Sequence, residues 1–197
     1  MSALPKRKYV SPEEYLATER ESLERHAYFD GEIFLMAGAS LRHAAIAGNV
    51  SAGLHARFKG RDCRVLQSDM RVFVPKTGLY TYPDVLVVCG KPQLLPDEHP
   101  DTLTNPILIV EILSASTEGY DKGVKFDNYR SLDSLREYVL ISQDAKRVIR
   151  YTRQSDGSWI LMDFIGDKTG IELSSIECSL TMEDIYDKVD FEEESVA

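Results

Sequence analysis

"NPILIVEILSAST", residues 105–117, places a glutamate where its neighbours offer it least comfort. Five apolar residues, Pro106 to Val110, lead up to Glu111, and Ile112 and Leu113 follow it. A short apolar run bounded by polar residues reads as a strand, which sinks this carboxylate in or beside a core. An isolated buried carboxylate is strongly disfavoured unless it is paired, protonated or bound to a cation. The rest of the chain must therefore supply its company.

The first companion lies upstream. "YPDVLVVC" sets Asp84 at the mouth of another apolar strand, 27 residues before Glu111. Two carboxylates on neighbouring strands that enter one core can converge on a divalent cation, and hard cations such as Mg²⁺ prefer such oxygen ligands. The second companion lies downstream. After "STEGYD", the segment 119–130 reads as a helix that carries Lys125 with Asp121 and Tyr129 at i−4 and i+4, on one face.

Around this nucleus the elements follow from local signals. Ser11, Pro12 and the acids after them open a helix expected to run to about Arg25. "HAYFDGEIFLMAG" reads as a hairpin turning at Asp30-Gly31, and Ser40 caps a second helix. Strands are expected at Cys63–Gln67 and Met70–Val74, and then in "YPDVLVVC". A loop from Lys91 to Asn105 precedes "PILIVEIL". "REYVLIS", "RVIRYTR" and "SWILMDFI" complete the strands with "QDAK" and "QSDG" as turns, and "TMEDIYDKV" is a short closing helix. No repeat or composition shift divides the chain. The expected fold is α+β: a central mixed β-sheet flanked by helices, α/β/α-like, with additional C-terminal β-hairpins, as one domain over residues 1–197 with an acidic tail from about residue 190.

Composition bounds the function. At 43% hydrophobic and 28% charged, 197 residues can enclose an ordinary core, which excludes a disordered chain. No apolar run approaches the roughly 20 residues of a bilayer span, and the first residues lack the apolar stretch of a secretory signal, so a cytoplasmic location is expected. Cys63, Cys89 and Cys178 show no metal-ligand or disulfide spacing and are read as reduced and mostly buried. Of the formal charge of −9, residues 181–197 carry −6, leaving −3 on the remainder. That near-neutral body leaves room for basic surfaces, with Arg57, Lys59, Arg61 and Arg64 as one candidate and Lys122, Lys125 and Arg130 as another.

Asp, Glu and Lys meeting at strand ends resembles the active site of the PD-(D/E)xK nucleases, with "PD" literal at Pro83-Asp84. Leu113 stands where their lysine usually does, and Lys125 on the following helix is placed as a migrated substitute. Taken together, "YFDGEIFLMAGAS", "SDMRVFV", "YPDVLVVC", "NPILIVEILSAST", "YDKGVKFDNYR" and "LREYVLI" resemble the Uma-type family of restriction-endonuclease-like proteins, abundant in cyanobacteria, over nearly the whole chain. The resemblance implies a restriction-endonuclease-like core and an Mg²⁺-dependent endonuclease, with Mn²⁺ as a substitute, acting on nucleic acid, in the first place DNA. Asp84 and Glu111 would bind the metal with the Ile112 carbonyl. Lys125 would act on water or phosphate, Glu32 would be an additional acid, and His43 and Tyr129 would match the family's histidine and tyrosine. A homodimer is also implied. Each residue alone has a plainer reading: Asp84 as a turn residue, Glu111 as the partner of an interior base, Lys125 as a solvated helix residue, His43 as a hydrogen-bonded helix histidine, Glu32 as an exposed strand residue. Two rival functions stand beside the nuclease: a catalytically inactive nucleic-acid-binding or interaction protein on the same scaffold, and a metal-free hydrolase using Asp84 and Glu111 as an acid/base pair.

Overall fold

The computed structural model describes residues 9–36, 38–166 and 170–191. The acidic tail beyond residue 191 lies outside the described residues. Helix α1 (Pro12–Glu21) starts with a reciprocal cap: Glu14 N–H donates to Ser11 Oγ and Ser11 N–H to the Glu14 carboxylate, at 3.2 and 2.9 Å. It ends sooner than its sequence suggests. Ser22 is extended, and Glu19 accepts from the His26 N–H at 2.9 Å, so the chain folds back to begin a strand.

That strand, β1 (His26–Phe29), pairs with β2 (Glu32–Leu35) around Asp30-Gly31. Both turn residues have positive φ, 49° and 81°, as a two-residue type I′ hairpin requires. Helix α2 (Leu41–Arg57) is capped by Ser40 Oγ, which accepts from His43 N–H, and buries Ile46, Val50 and Leu54 at four-residue spacing.

The remaining strands are β3 (Cys63–Gln67), β4 (Arg71–Val74), β5 (Leu79–Thr81), β6 (Val85–Cys89), β7 (Thr102–Leu103), β8 (Leu108–Leu113), β9 (Glu137–Ser142), β10 (Arg147–Arg153), β11 (Trp159–Ile165), β12 (Gly170–Leu173) and β13 (Cys178–Thr181). They form a six-stranded sheet in the order β11-β10-β9-β8-β6-β3, a five-stranded sheet β2-β1-β5-β4-β7 and the hairpin β12-β13. Within the larger sheet β8 and β9 run parallel, while the other neighbours are antiparallel. The sheet is therefore mixed, as expected.

Strand β8 is buried throughout, which explains its unbroken apolar reading. Leu108, Val110 and Ile112 join the core under α2 and α5 (Met182–Ile185). Ile109 and Leu113 join the opposite core with Leu86, Val88, Tyr129 and Tyr138. Glu111 alternates with them onto this second side.

A buried polar network anchors the approach to Asp84. Arg71, fully enclosed, donates to Thr102 Oγ1 (2.9 Å), Tyr82 Oη (3.2 Å) and Asp101 Oδ2 (2.7 Å). Tyr82 in turn donates to Glu19 on α1 at 3.0 Å. The residue two positions before Asp84 is thus fixed from both directions.

One expectation is corrected. Cys63 and Cys89 are not reduced: they stand opposite each other in the β3–β6 register and form a disulfide, with Cα atoms 4.0 Å apart. Their 26-residue separation says nothing of this, because the pairing is set by strand register. Cys178 is free and half-buried. The β12–β13 hairpin is in keeping with the expected C-terminal hairpins, although the sequence reading places no strand in this segment. Its strands have four residues each, too short for their alternation to stand out, although Ile171, Leu173 and Leu180 are buried. Among the described residues no helix is long and apolar enough to cross a membrane.

Candidate metal-dependent active site

Strands β6 and β8 pair Val87 with Leu108, Leu86 with Ile109 and Val85 with Val110. Carried one residue further, this register sets Asp84 opposite Glu111. Asp84 directly precedes β6, immediately after Pro83, and its Oδ2 accepts the Ile112 N–H at 2.7 Å. The same oxygen lies 3.2 Å from His43 Nε2 in the first turn of α2. Glu111 Oε1 accepts from Tyr129 Oη at 2.9 Å and lies 2.8 Å from Lys125 Nζ. The ammonium is also 3.3 Å from Asp121 Oδ1.

Lys125 reaches Glu111 through an irregular helix. The segment after β8 passes from α3 (Glu118–Tyr120) through a π-helical turn (Asp121–Lys125) to α4 (Phe126–Tyr129). The sequence reading expects one α-helix here. Gly119 and Gly123 weaken α-helical preference in this stretch, and π turns occur mostly as single wide turns at functional sites. Two carbonyls of the turn take side-chain donors: Asp121 O from Tyr138 Oη at 3.0 Å and Val124 O from Asn128 Nδ2 at 2.8 Å. Buried donors thus hold the wide turn open.

Glu111 and Lys125 are 3% and 5% exposed, so water screens their charges poorly. Burial pushes the Glu111 carboxyl up; the Lys125 charge opposes this, and the Asp84 and Asp121 charges add to it. For Lys125, burial alone would favour the neutral amine, but the carboxylates of Glu111 and Asp121 outweigh it and raise its pKa, keeping it cationic. Burial, and then the Glu111 charge, raise the Tyr129 phenol well above its usual value, so it remains a donor.

This crowding of negative charge tests the fit of a cation. Among the described residues no three His, Cys, Asp or Glu side chains are grouped to cage an ion. Two carboxylates and a backbone carbonyl are what Mg²⁺ commonly takes from protein, since it keeps waters and substrate phosphate for its other positions. A cation would also relieve the repulsion between Asp84 and Glu111. The donor set fits.

Of the residues expected at the site, Asp84, His43 and Ile112 form one bonded group, and Glu111, Lys125 and Tyr129 another facing it. Glu32 begins β2 opposite Phe29, in the five-stranded sheet. The two basic clusters are largely engaged elsewhere. Arg57 pairs with Asp184, Arg61 donates to Ile176 O, and Arg64 to Gly90 O. Lys122 pairs with Glu118, Lys125 with Glu111 and Arg130 with Asp127. Asp121, which the sequence sets on the Lys125 face without assigning it a role, is an ion-pair partner of Lys125. Tyr138 gave no signal, because its role depends on the β8–β9 register.

Comparison with known proteins accords with this geometry. Residues 12–183 match the family Uma2, described as "Putative restriction endonuclease". Two proteins of Synechocystis sp. strain PCC 6803, named "Uncharacterized protein slr1290" and "Uncharacterized protein sll1609", are each 37% identical to the chain. The first alignment covers 90% of this chain and 91% of the relative, the second 85% and 94%. A crystal structure described as a putative nuclease belonging to DUF820, from Anabaena variabilis, superposes with a TM-score of 0.65 at 19% identity, covering 84% of this chain and 91% of that one. That likeness establishes the shared fold. With 172 of its residues inside the family match, the chain belongs to the Uma2 family.

Proposed function

We propose that the protein is a nuclease that uses a divalent cation, Mg²⁺ with Mn²⁺ as substitute, to hydrolyse phosphodiester bonds, with DNA as its substrate. The observation that carries this is the buried Glu111–Lys125 pair facing Asp84 at the ends of two paired strands. Asp84, Glu111 and the Ile112 carbonyl would hold the ion. When bound, the ion supplies Lewis-acid polarisation of the phosphate and a more acidic water.

The protein groups have separate tasks. Lys125 brings a fixed positive charge to stabilise charge developing on the phosphate or to orient the attacking water. Tyr129 and Lys125 hold Glu111 in place, while His43 and the Ile112 N–H hold Asp84. Asp121 balances the Lys125 charge. Glu32, from the neighbouring sheet, is the further acid of this reading, and Glu32→Gln tests whether it acts.

The reading extends to one working unit over residues 1–197 and to a homodimer, since two sites related by a two-fold axis suit cleavage of both strands of a duplex. Exposed Ile160, Leu161, Met162 and Ile165 on the edge strand β11 support a self-association surface. Sedimentation at tens of micromolar tests it, a monomer being the contrary result. For the chemistry, the test is nicking of supercoiled plasmid with Mg²⁺, Mn²⁺ or chelator. Cleavage that requires the ion and disappears in Asp84→Asn is expected. Cleavage that persists in chelator overturns the metal-dependent reading.

A further inference from the structure

We infer that Tyr120 is a stacking platform for a nucleobase beside the scissile phosphate, so that the site takes a strand that is unpaired or locally opened out of a duplex. This rests on the nuclease reading of Asp84, Glu111 and Lys125, and it adds the substrate class.

The tyrosines behind the site, Tyr129 and Tyr138, are buried, with their rings edge to face at 5.5 Å. Tyr120 is different. It immediately precedes the π-helical turn and is 42% exposed. Its chain neighbour Asp121 nevertheless reaches into the site, with its Oδ1 3.3 Å from Lys125 Nζ. Tyr120 therefore stands on the rim of the site, between the buried charges and solvent.

Its surroundings favour a base over a phosphate. Val124, four residues on and 48% exposed, extends the apolar surface beside the ring. Lys122, the nearest outward cation on this segment, is neutralised by Glu118. What the rim offers a polyanionic strand is an aromatic face and an aliphatic neighbour. Every base has a π-face, but inside a duplex both faces are covered by adjacent pairs. A ring at the cleavage site can therefore stack only on a base that is single-stranded, unpaired or turned out.

The experiment uses the full-length protein and a single-stranded DNA oligonucleotide containing 2-aminopurine, with Ca²⁺ replacing Mg²⁺ to limit cleavage. A duplex and an RNA strand of the same sequence serve as the other arms. Wild type is expected to quench the fluorophore and to bind either single strand more tightly than the duplex. Tyr120→Ala should abolish quenching and weaken single-strand binding by about 5- to 150-fold, while Tyr120→Phe keeps both. An unchanged melting temperature in Tyr120→Ala separates the effect from folding. Unchanged quenching and affinity in Tyr120→Ala, or tighter binding of the duplex by wild type, overturns the inference. Plasmid cleavage with Mg²⁺, run in parallel, distinguishes the two levels. Wild-type cleavage with no dependence on Tyr120 removes only the stacking role, whereas neither binding nor cleavage removes the nuclease reading and this inference together.

Discussion

Lys125 Nζ stands 2.8 Å from Glu111 Oε1, and both side chains are almost completely enclosed. Enclosure makes each group dependent on the other: an ammonium or carboxylate left alone there would lack both water and partner. One pair thus serves the stability of the fold and, in the proposed reaction, its chemistry. Substitutions can separate the two.

Lys125→Ala should reduce cleavage by at least about 100-fold, the scale seen when one group stabilising transition-state charge is removed. It should also lower unfolding free energy by about 3–5 kcal/mol, because Glu111 and Asp121 lose their counter-charge. Mn²⁺ affinity should stay level or rise, since a neighbouring positive charge has gone. Plasmid nicking, urea unfolding and calorimetric titration read the three effects. Cleavage at the wild-type rate would remove Lys125 from the mechanism.

Asp84→Asn should lose metal binding and cleavage together while the fold persists. The amide oxygen can still accept the Ile112 N–H that Asp84 Oδ2 accepts at 2.7 Å, but it carries no charge for an ion. A melting temperature within a few degrees of wild type, with no heat of Mn²⁺ binding, is the expected pair of results. Retained binding would assign the ion to other ligands.

Tyr129→Phe removes the 2.9 Å hydrogen bond to Glu111 and little else. A hydrogen bond to a charged group contributes about 1.5–3 kcal/mol. A comparable loss of stability is expected, with a fall in cleavage rate larger than the change in Mn²⁺ affinity. Equal losses in rate and affinity would mean that Tyr129 acts only by shaping the ion site.

Stability on the acid side should depend on Asp101. Partial burial pushes its carboxyl pKa up, but hydrogen bonds from Arg20, Thr102 and Arg71, with the Arg71 charge, outweigh this and hold it well below the usual carboxylate range. Because the folded value lies below the unfolded one, the stabilisation is complete above the unfolded value near 4 and is lost as pH falls through that value towards the folded one. Asp101→Asn should be less stable than wild type at pH 7, with the difference narrowing below pH 4. Urea midpoints across that range check the sign, and a gap that widens in acid would contradict it.

The larger part of the fold was legible because its signals are local. Ser11 and Ser40 mark helix starts, Asp30-Gly31 marks a hairpin, and the apolar run before Glu111 marks a strand buried on both sides. The placing together of the candidate residues was legible because a glutamate inside such a run demands partners, and Asp84 and Lys125 were available at suitable spacings. What escaped depends on register or on distant pairing. The Cys63–Cys89 bond follows from which strands lie side by side, and the Arg71–Asp101–Arg20 network joins segments that no local period connects. The wide turn at 121–125 escaped for another reason: its residues also satisfy an α-helical reading, and only the partners of Asp121 O and Val124 O distinguish the two.

That turn makes the candidate site a matter of winding as well as of residues. An α-helix advances about 100° per residue, so a segment holding one residue more than its period allows presents everything beyond it at a shifted angle. Winding the same residues as a regular helix would swing Lys125 away from Glu111 by about that angle, with no charged or aromatic side chain lost, whereas removing a single residue near Gly123 would let regular winding resume with Lys125 kept close to its present direction. Residue count and winding at this point together set the direction of Lys125 on which the proposed chemistry depends, and comparing the loop-to-lysine distance among Uma2 members is as informative as comparing the residues they carry.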